Sequence, residues 1–196
     1  MKKRIFIAIN LPDKVKERAY EIQQEVDSSF AYFTGASPIK WTKKNNLHVT
    51  LFFVGYLELD DLAQVFNIVQ NVADDTDAFD LKLKNIDYAP PGKIPPKMVW
   101  INGEKSTELG NLQQKLEASL LEHPNINLER ENSGFIPHIT LGRIVQWQWA
   151  RINPEEITEL NKDFPHVFGV RTIEVMESEL KKGGAEYTIL KSFNLK

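Results

Sequence analysis

His48 and Thr50 stand two residues apart, as do His138 and Thr140, in the near-identical segments His48-Val49-Thr50-Leu51 and His138-Ile139-Thr140-Leu141. The surrounding residues read as β-strands, and side chains alternate faces along a strand. Each His therefore shares a face with its Thr, while the aliphatic residues turn to a core. Only four histidines occur in the chain, and two fall in this context. Two imidazoles facing one cleft, each with an ordinary pKa of ~6.5, supply a general base and a general acid near neutral pH. In-line phosphoryl transfer uses such a pair: one ring takes a proton from the attacking water and the other gives one to the departing oxygen. The Thr hydroxyls add donors for non-bridging phosphate oxygens, where charge gathers. Arg143 follows the second segment and suits a phosphate or a base. Strict alternation places it on the face opposite His138, so it reaches the site only through a kink or bulge at Gly142 or from the strand end.

The elements that must carry these residues can be read from periodicity. Arg4 to Ile9 reads as a strand, and Leu11-Pro12-Asp13 opens a helix with Val15, Ala19, Ile22 and Val26 on one stripe. A loop with Gly35 and Pro38 leads to a strand over Leu47 to Val54, closed by Gly55. Leu59, Leu62, Val65, Phe66, Val69 and Val72 mark a second helix. Strands follow around Phe79 to Leu83 and over Met98 to Ile101, separated by the proline-rich run from Ala89 to Lys97, which cannot continue a sheet. A helix from about Ser106 to Glu122, stopped by Pro124, precedes the second His strand, Phe135 to Val145. Asn153-Pro154-Glu155-Glu156 reads as a capped helix start, and strands around Val167 to Val175 and Tyr187 to Phe193 finish the pattern. Each half thus offers one His-bearing strand. The expected plan is α+β, with two pseudo-symmetric lobes, each a mostly antiparallel sheet with helices outside, facing a central cleft. No linker separates independent units, so residues 1–196 are expected to form a single two-lobed domain.

Composition narrows the functions compatible with that plan. A chain of 196 residues with 42% hydrophobic content can build a real core, and a formal charge of −3 argues against gripping nucleic acid along many phosphates. A small anionic end-group remains a fitting ligand. Without cysteine there is no thiolate nucleophile or Cys-based metal site, which suits a reducing cytoplasm. The apolar run after Lys2 and Lys3 breaks at Asn10 and Pro12, too soon for a signal-peptide core, and no stretch approaches the ~20 apolar residues of a membrane span.

The sequence resembles the 2H phosphoesterases, specifically the RNA 2′,3′-cyclic phosphodiesterase branch, also called the 2′-5′ RNA ligase family. The resemblance runs nearly end to end. It takes in Arg4 to Ala8 leading to Pro12, Trp41 before Asn46-Leu47-His48-Val49-Thr50-Leu51, and Gly55. Trp100, the run Phe135 to Arg143, Glu177-Ser178-Glu179-Leu180, Gly184 and Tyr187 complete it. It implies that His48 donates a proton to the leaving 3′ oxygen and His138 accepts one from water, giving a 2′-phosphate. Thr50 and Thr140 would hold phosphate oxygens, and Arg143 would assist substrate binding. It also implies metal-free catalysis without a cofactor on RNA ends or nucleotides bearing a 2′,3′-cyclic phosphate, by a monomer, and in some members reversible 2′-5′ ligation. Where relatives commonly carry a basic residue after the first motif, this chain has Phe52, which by alternation shares the face of His48 and is expected to stack on a base.

Other residues have plainer readings. His123 and His166 are expected at the surface or at helix ends, where a cationic His is favourable. Asp60-Asp61 and Asp74-Asp75-Thr76-Asp77 read as polar helix ends, and Trp147 and Trp149 as packing residues on one face of an extended segment. Trp41, Trp100 and Phe135 divide between core packing and lining the cleft. Two other functions compete. A zinc hydrolase using both histidines is disfavoured because His-x-Thr offers one ligand per strand with no carboxylate at ligand spacing. A catalytically silent nucleotide- or RNA-end-binding module would keep the fold without turnover, and both intact motifs argue against it.

Overall fold

The computed structural model describes residues 2–34, 37–123, 134–157 and 159–196, with the side chains of 31–34 left out of account. The expectations for Gly35 and for Pro124 as a helix stop lie outside the described residues. The strands are β1 (Lys3–Asn10), β2 (Ile39–Trp41), β3 (His48–Leu57), β4 (Phe79–Ala89), β5 (Met98–Gly103), β6 (His138–Ile144), β7 (Lys162–Val170), β8 (Thr172–Lys181) and β9 (Gly184–Asn194). The helices are α1 (Asp13–Thr34), α2 (Leu59–Asp74), α3 (Thr107–Leu121) and the single turn α4 (Gln146–Trp149). Among the described residues the strands form one nine-stranded sheet in the order β7-β4-β5-β6-β3-β1-β8-β9, with β2 beside β6. Every pairing is antiparallel.

The sheet has two halves. Strands β3 and β6 are joined by one partner pair, Val49 with Ile139, whereas the ladders on either side are long. The β3-β1-β8-β9 half takes strands from both ends of the chain, and the β2-β6-β5-β4-β7 half lies between them in sequence apart from β2. The two-lobed α+β arrangement expected from the repeated motif is present, but the lobes are nested in the chain and do not follow one another.

Helix stripes and one sheet face form a common core. Val15, Ala19, Ile22, Val26 and Phe30 of α1, Val65, Val69 and Val72 of α2, and Leu109, Leu112, Leu116 and Leu120 of α3 join Ile5, Ile7 and Ile9 of β1 in one buried cluster. The opposite face of β1 carries Phe6 and Ala8, which meet Met176 and Tyr187 in a smaller cluster. Because β1 is buried on both faces it reads as a continuous apolar run. Ser106 caps α3, its Oγ accepting from the Leu109 N–H at 3.2 Å.

Several elements differ from the sequence reading. Val167 to Val175 is two strands that meet at Arg171, and β2 is too short to leave a periodic signal. Asn153 supplies no side-chain cap, and Pro154–Glu156 is a lone 3-10 turn. Trp147 and Trp149 lie on helical α4: Trp149 is buried against Phe30 and Tyr88, while Trp147 is exposed beneath the Arg151 guanidinium. Among the described residues no helix is long and apolar enough to cross a membrane.

Candidate active site

The Val49–Ile139 pair gives the centre of the sheet a local two-fold axis, since antiparallel neighbours run past each other symmetrically. His48 and Thr50 flank one side of that axis, and His138 and Thr140 the other. All four line a single cavity of about 130 Å³, whose walls also include Arg4, Phe6, Thr42, Phe53, Arg143, Ser178 and Tyr187. Alternation explains the grouping: Val49, Leu51, Ile139 and Leu141 are buried in the core while the His and Thr between them remain partly open.

Both rings are held the same way. His48 Nδ1 lies 2.6 Å from the carbonyl oxygen of Asn46, and His138 Nδ1 lies 2.8 Å from that of Ile136. A carbonyl only accepts, so each Nδ1 carries its hydrogen and each neutral ring presents Nε2 as a base. His48 Nε2 sits 2.9 Å from Thr50 Oγ1, whose hydroxyl donates to the neutral ring. Asn46 is itself tied across the sheet, its amide donating to the carbonyl of Ala185 at 2.7 Å. Rings complete the packing: Trp100 stacks on His138 at 3.7 Å, and Phe6 and Tyr187 flank His48 at 5.0 and 5.2 Å.

Burial pushes both imidazoles below the ordinary histidine range. For His48 the neighbouring positive charge of His138 acts in the same direction, and so does that of Lys16, while the Asn46 carbonyl opposes them. His48 therefore senses the charge of His138 across the cavity they share. Lys16 is 7% exposed, and burial lowers its own pKa against the pull of Asp13 and Glu174.

Irregularities in the ladders decide the remaining positions. Thr140 faces Trp100 and Gly142 faces Val99, so Leu141 is an extra residue on β6. This bulge reverses the alternation and brings Arg143 to the cavity wall with Thr140. The sequence condition for Arg143 is met, one residue before the expected Gly142. Gly142 instead serves the packing of β2. A Cβ there would lie 2.5 Å from Ile39 Cγ2 and 2.9 Å from a Trp41 ring carbon, so the lack of a side chain lets β2 approach closely.

The same device on β3 corrects the expectation for Phe52. Thr50 faces Ala8 and Phe52 faces Ile7, so Leu51 is an extra residue. The reversal turns Phe52 toward the core, where it packs against the main cluster, and places Phe53 on the cavity wall. The aromatic residue beside the site is therefore one place later than strict alternation predicts, because the bulge depends on the register of β1 and not on the motif itself. Phe6, read only as part of a strand, and Thr42 also line the cavity; the pairing of β1 and the Thr42 N–H donating to the Leu141 carbonyl that bring them in join distant parts of the chain.

Trp41 and Phe135 pack on the core, and the Trp41 indole donates to Asp27 Oδ1 at 2.6 Å. His123 and His166 do not line the cavity, and His166 stacks on buried Phe164. Asp60 and Asp61 occupy the first turn of α2, where negative charge is favourable. Among the described residues no three His, Cys, Asp or Glu side chains cluster as a metal site would require.

A family model described as the 2′-5′ RNA ligase superfamily matches residues 10–182. The chain is 27% identical to the RNA 2′,3′-cyclic phosphodiesterase of Thermotoga maritima, over 95% of its own length and 92% of the relative's. It is 25% identical to the protein of the same name from Methanothermobacter thermautotrophicus over the full length of both. Among solved structures, TT0787 of Thermus thermophilus aligns with a TM-score of 0.79 and 26% identity, covering 98% of this chain and 97% of that one. Escherichia coli LigT complexed with 3′-AMP aligns with a TM-score of 0.78 at 21% identity, covering 100% of this chain and 99% of that one, a likeness of fold.

Proposed function

The chain belongs to the 2′-5′ RNA ligase superfamily, and from that premise we propose that it is an RNA 2′,3′-cyclic phosphodiesterase acting through His48 and His138. The observation that carries the reading is the meeting of both imidazoles, both Thr hydroxyls and Arg143 in one cavity. The names of relatives matched over nearly their whole length support it.

In the proposed reaction, water attacks phosphorus in line with the ribose O3′, and its proton passes to His138 Nε2. The P–O3′ bond breaks as protonated His48 gives its Nε2 hydrogen to O3′, leaving a 2′-phosphate. The rings finish with exchanged protonation states and reset through solvent. Thr50, Thr140 and Arg143 face the non-bridging oxygens, where negative charge accumulates. The carbonyls on Nδ1 fix each ring so that Nε2 is the reacting atom. A lowered pKa keeps His138 neutral and ready as base near neutral pH. For His48, which must be charged, the incoming phosphate supplies the compensating anion. A 5′-hydroxyl in the place of water would form a 2′-5′ linkage by the same steps. Both lobes contribute residues, so the reading takes residues 1–196 as one unit.

The test is product analysis of a nucleoside 2′,3′-cyclic phosphate by phosphorus NMR. A 2′-phosphate formed with or without prior chelator treatment is the expected result. A 3′-phosphate as sole product would overturn the roles assigned to His48 and His138. Chelator-sensitive turnover restored by a metal ion would overturn the scheme, and binding without turnover would mark a silent module.

A further inference from the structure

The local two-fold axis relates the residues two places before each histidine, and there the two strands differ: Asn46 precedes His48, and Ile136 precedes His138. Both supply a carbonyl to a ring Nδ1, at 2.6 and 2.8 Å. Only Asn46 has a polar side chain with which to anchor that carbonyl. It ends the 3-10 turn Lys44–Asn46 that leads into β3, and its Nδ2 donates to the Ala185 carbonyl on β9 at 2.7 Å. Two residues further along β9, Tyr187 meets the His48 ring edge-on at 5.2 Å, and between them Glu186 lies 4.0 Å from Lys43.

Thr50 Oγ1 holds the other ring nitrogen at 2.9 Å, so His48 is fixed at both nitrogens by groups from distant parts of the chain. The second ring has less support. Ile136 is 40% exposed in a stretch without regular structure, residues 134–137, and His138 rests on that carbonyl and on the Trp100 stack. The motifs are symmetric in their histidines and threonines and asymmetric in how firmly each ring is aimed.

That asymmetry matches unequal demands in the reaction. A water molecule can turn toward its base, whereas O3′ is tethered to both ribose and phosphorus, so the acid must bring its hydrogen to a fixed point. A misplacement of about 1 Å can cost about 10²-fold in rate. We propose that Asn46 is the positioning residue of the acid, its amide locking to β9 the carbonyl that aims His48 Nε2 at the leaving oxygen. The inference rests on the proposed function, because it takes His48 as the donor to O3′.

The experiment compares adenosine 2′,3′-cyclic phosphate with its analogue carrying sulfur in place of O3′. In the analogue water attacks phosphorus as before, and the P–S bond breaks to a thiolate, which with an ordinary thiol pKa of ~8.5 leaves without a proton from His48. Asn46→Ala should lower kcat for the oxygen substrate roughly ten- to hundredfold with KM little changed, and leave kcat for the sulfur substrate unaltered. Asn46→Asp, of the same shape with no hydrogen to donate, should behave as Asn46→Ala does. Equal losses on both substrates, or full activity of either variant on the oxygen substrate, would overturn the positioning role. His48→Ala is the control for the underlying reading: it should spare the sulfur substrate, and if it does not, or if the wild-type chain opens neither compound, the assigned chemistry falls. Nitrogen NMR of the imidazoles in mildly alkaline solution without substrate would then still decide the clamp. His48 must hold its hydrogen on Nδ1 in the wild type and divide it between both nitrogens in Asn46→Ala, with His138 unaltered, whereas an unchanged His48 refutes it.

Discussion

At the scale of single residues, the proposed chemistry depends on two half-buried imidazoles whose proton affinity has been lowered. Removing either one should be costly: His48→Ala and His138→Ala are each expected to reduce kcat by about 10²–10⁴-fold, the usual worth of a positioned acid or base. Rate should follow a bell-shaped pH curve, losing its acid limb in His138→Ala and its alkaline limb in His48→Ala, as residual activity on a pH series would show. Stability carries a related sign. The folded rings take up protons at lower pH than the unfolded ones, so below about 6.5 the unfolded chain binds more protons and folding weakens as pH falls through the folded pKa values. Melting temperature between pH 7 and 5 should fall less steeply in a His48→Gln, His138→Gln double variant than in wild type. Inorganic phosphate should flatten the wild-type curve, since an anion between the rings favours their charged form. These four His and Thr positions were legible in the sequence because a repeated pattern marks shared geometry. Phe53 was not, since its facing depends on a bulge set by pairing with β1, distant in sequence.

Among the elements, helices were read more closely than strands. The stripes of α1, α2 and α3 follow from local spacing, whereas the Ser106 cap, the corner at Arg171 and the existence of β2 came only from the structure. Two substitutions test this level. Ser106→Ala removes the acceptor for the Leu109 N–H and should lower unfolding free energy by about 1 kcal/mol in urea titration without altering turnover. Gly142→Ala places a methyl group against Ile39 and Trp41 and should cost about 1–3 kcal/mol, typical of overpacking. Because β2 would be pushed from β6 beside Arg143, KM should rise with it, and an unchanged KM would show that β2 has no part in placing that residue.

For the molecule as a whole, the charge of −3 sets the expected mode of RNA contact. A cavity that faces its substrate with Arg4 and Arg143 can engage only a few phosphates. The KM for a short oligonucleotide ending in a cyclic phosphate should therefore rise gently with potassium chloride, with a logarithmic slope near ~0.7 per phosphate neutralised. A slope corresponding to six or more phosphates would reveal an extended RNA track elsewhere on the surface. The two-lobed plan was legible from the twin motifs, but the nesting of one lobe within the other was not. Local patterns say what a strand is made of and leave open which distant strand becomes its neighbour.

That nesting bears on how the protein comes into being at the ribosome. The strand carrying His48 is made early, yet β1 gains its outer neighbour β8, and His48 its ring partner Tyr187, only from residues 172–194. Until those residues emerge, β1 presents an unpaired, apolar edge of the kind that invites wrong association. A nascent chain thus lacks part of the cavity wall, Ser178 and Tyr187, and is most in need of protection until strands β8 and β9 are in place.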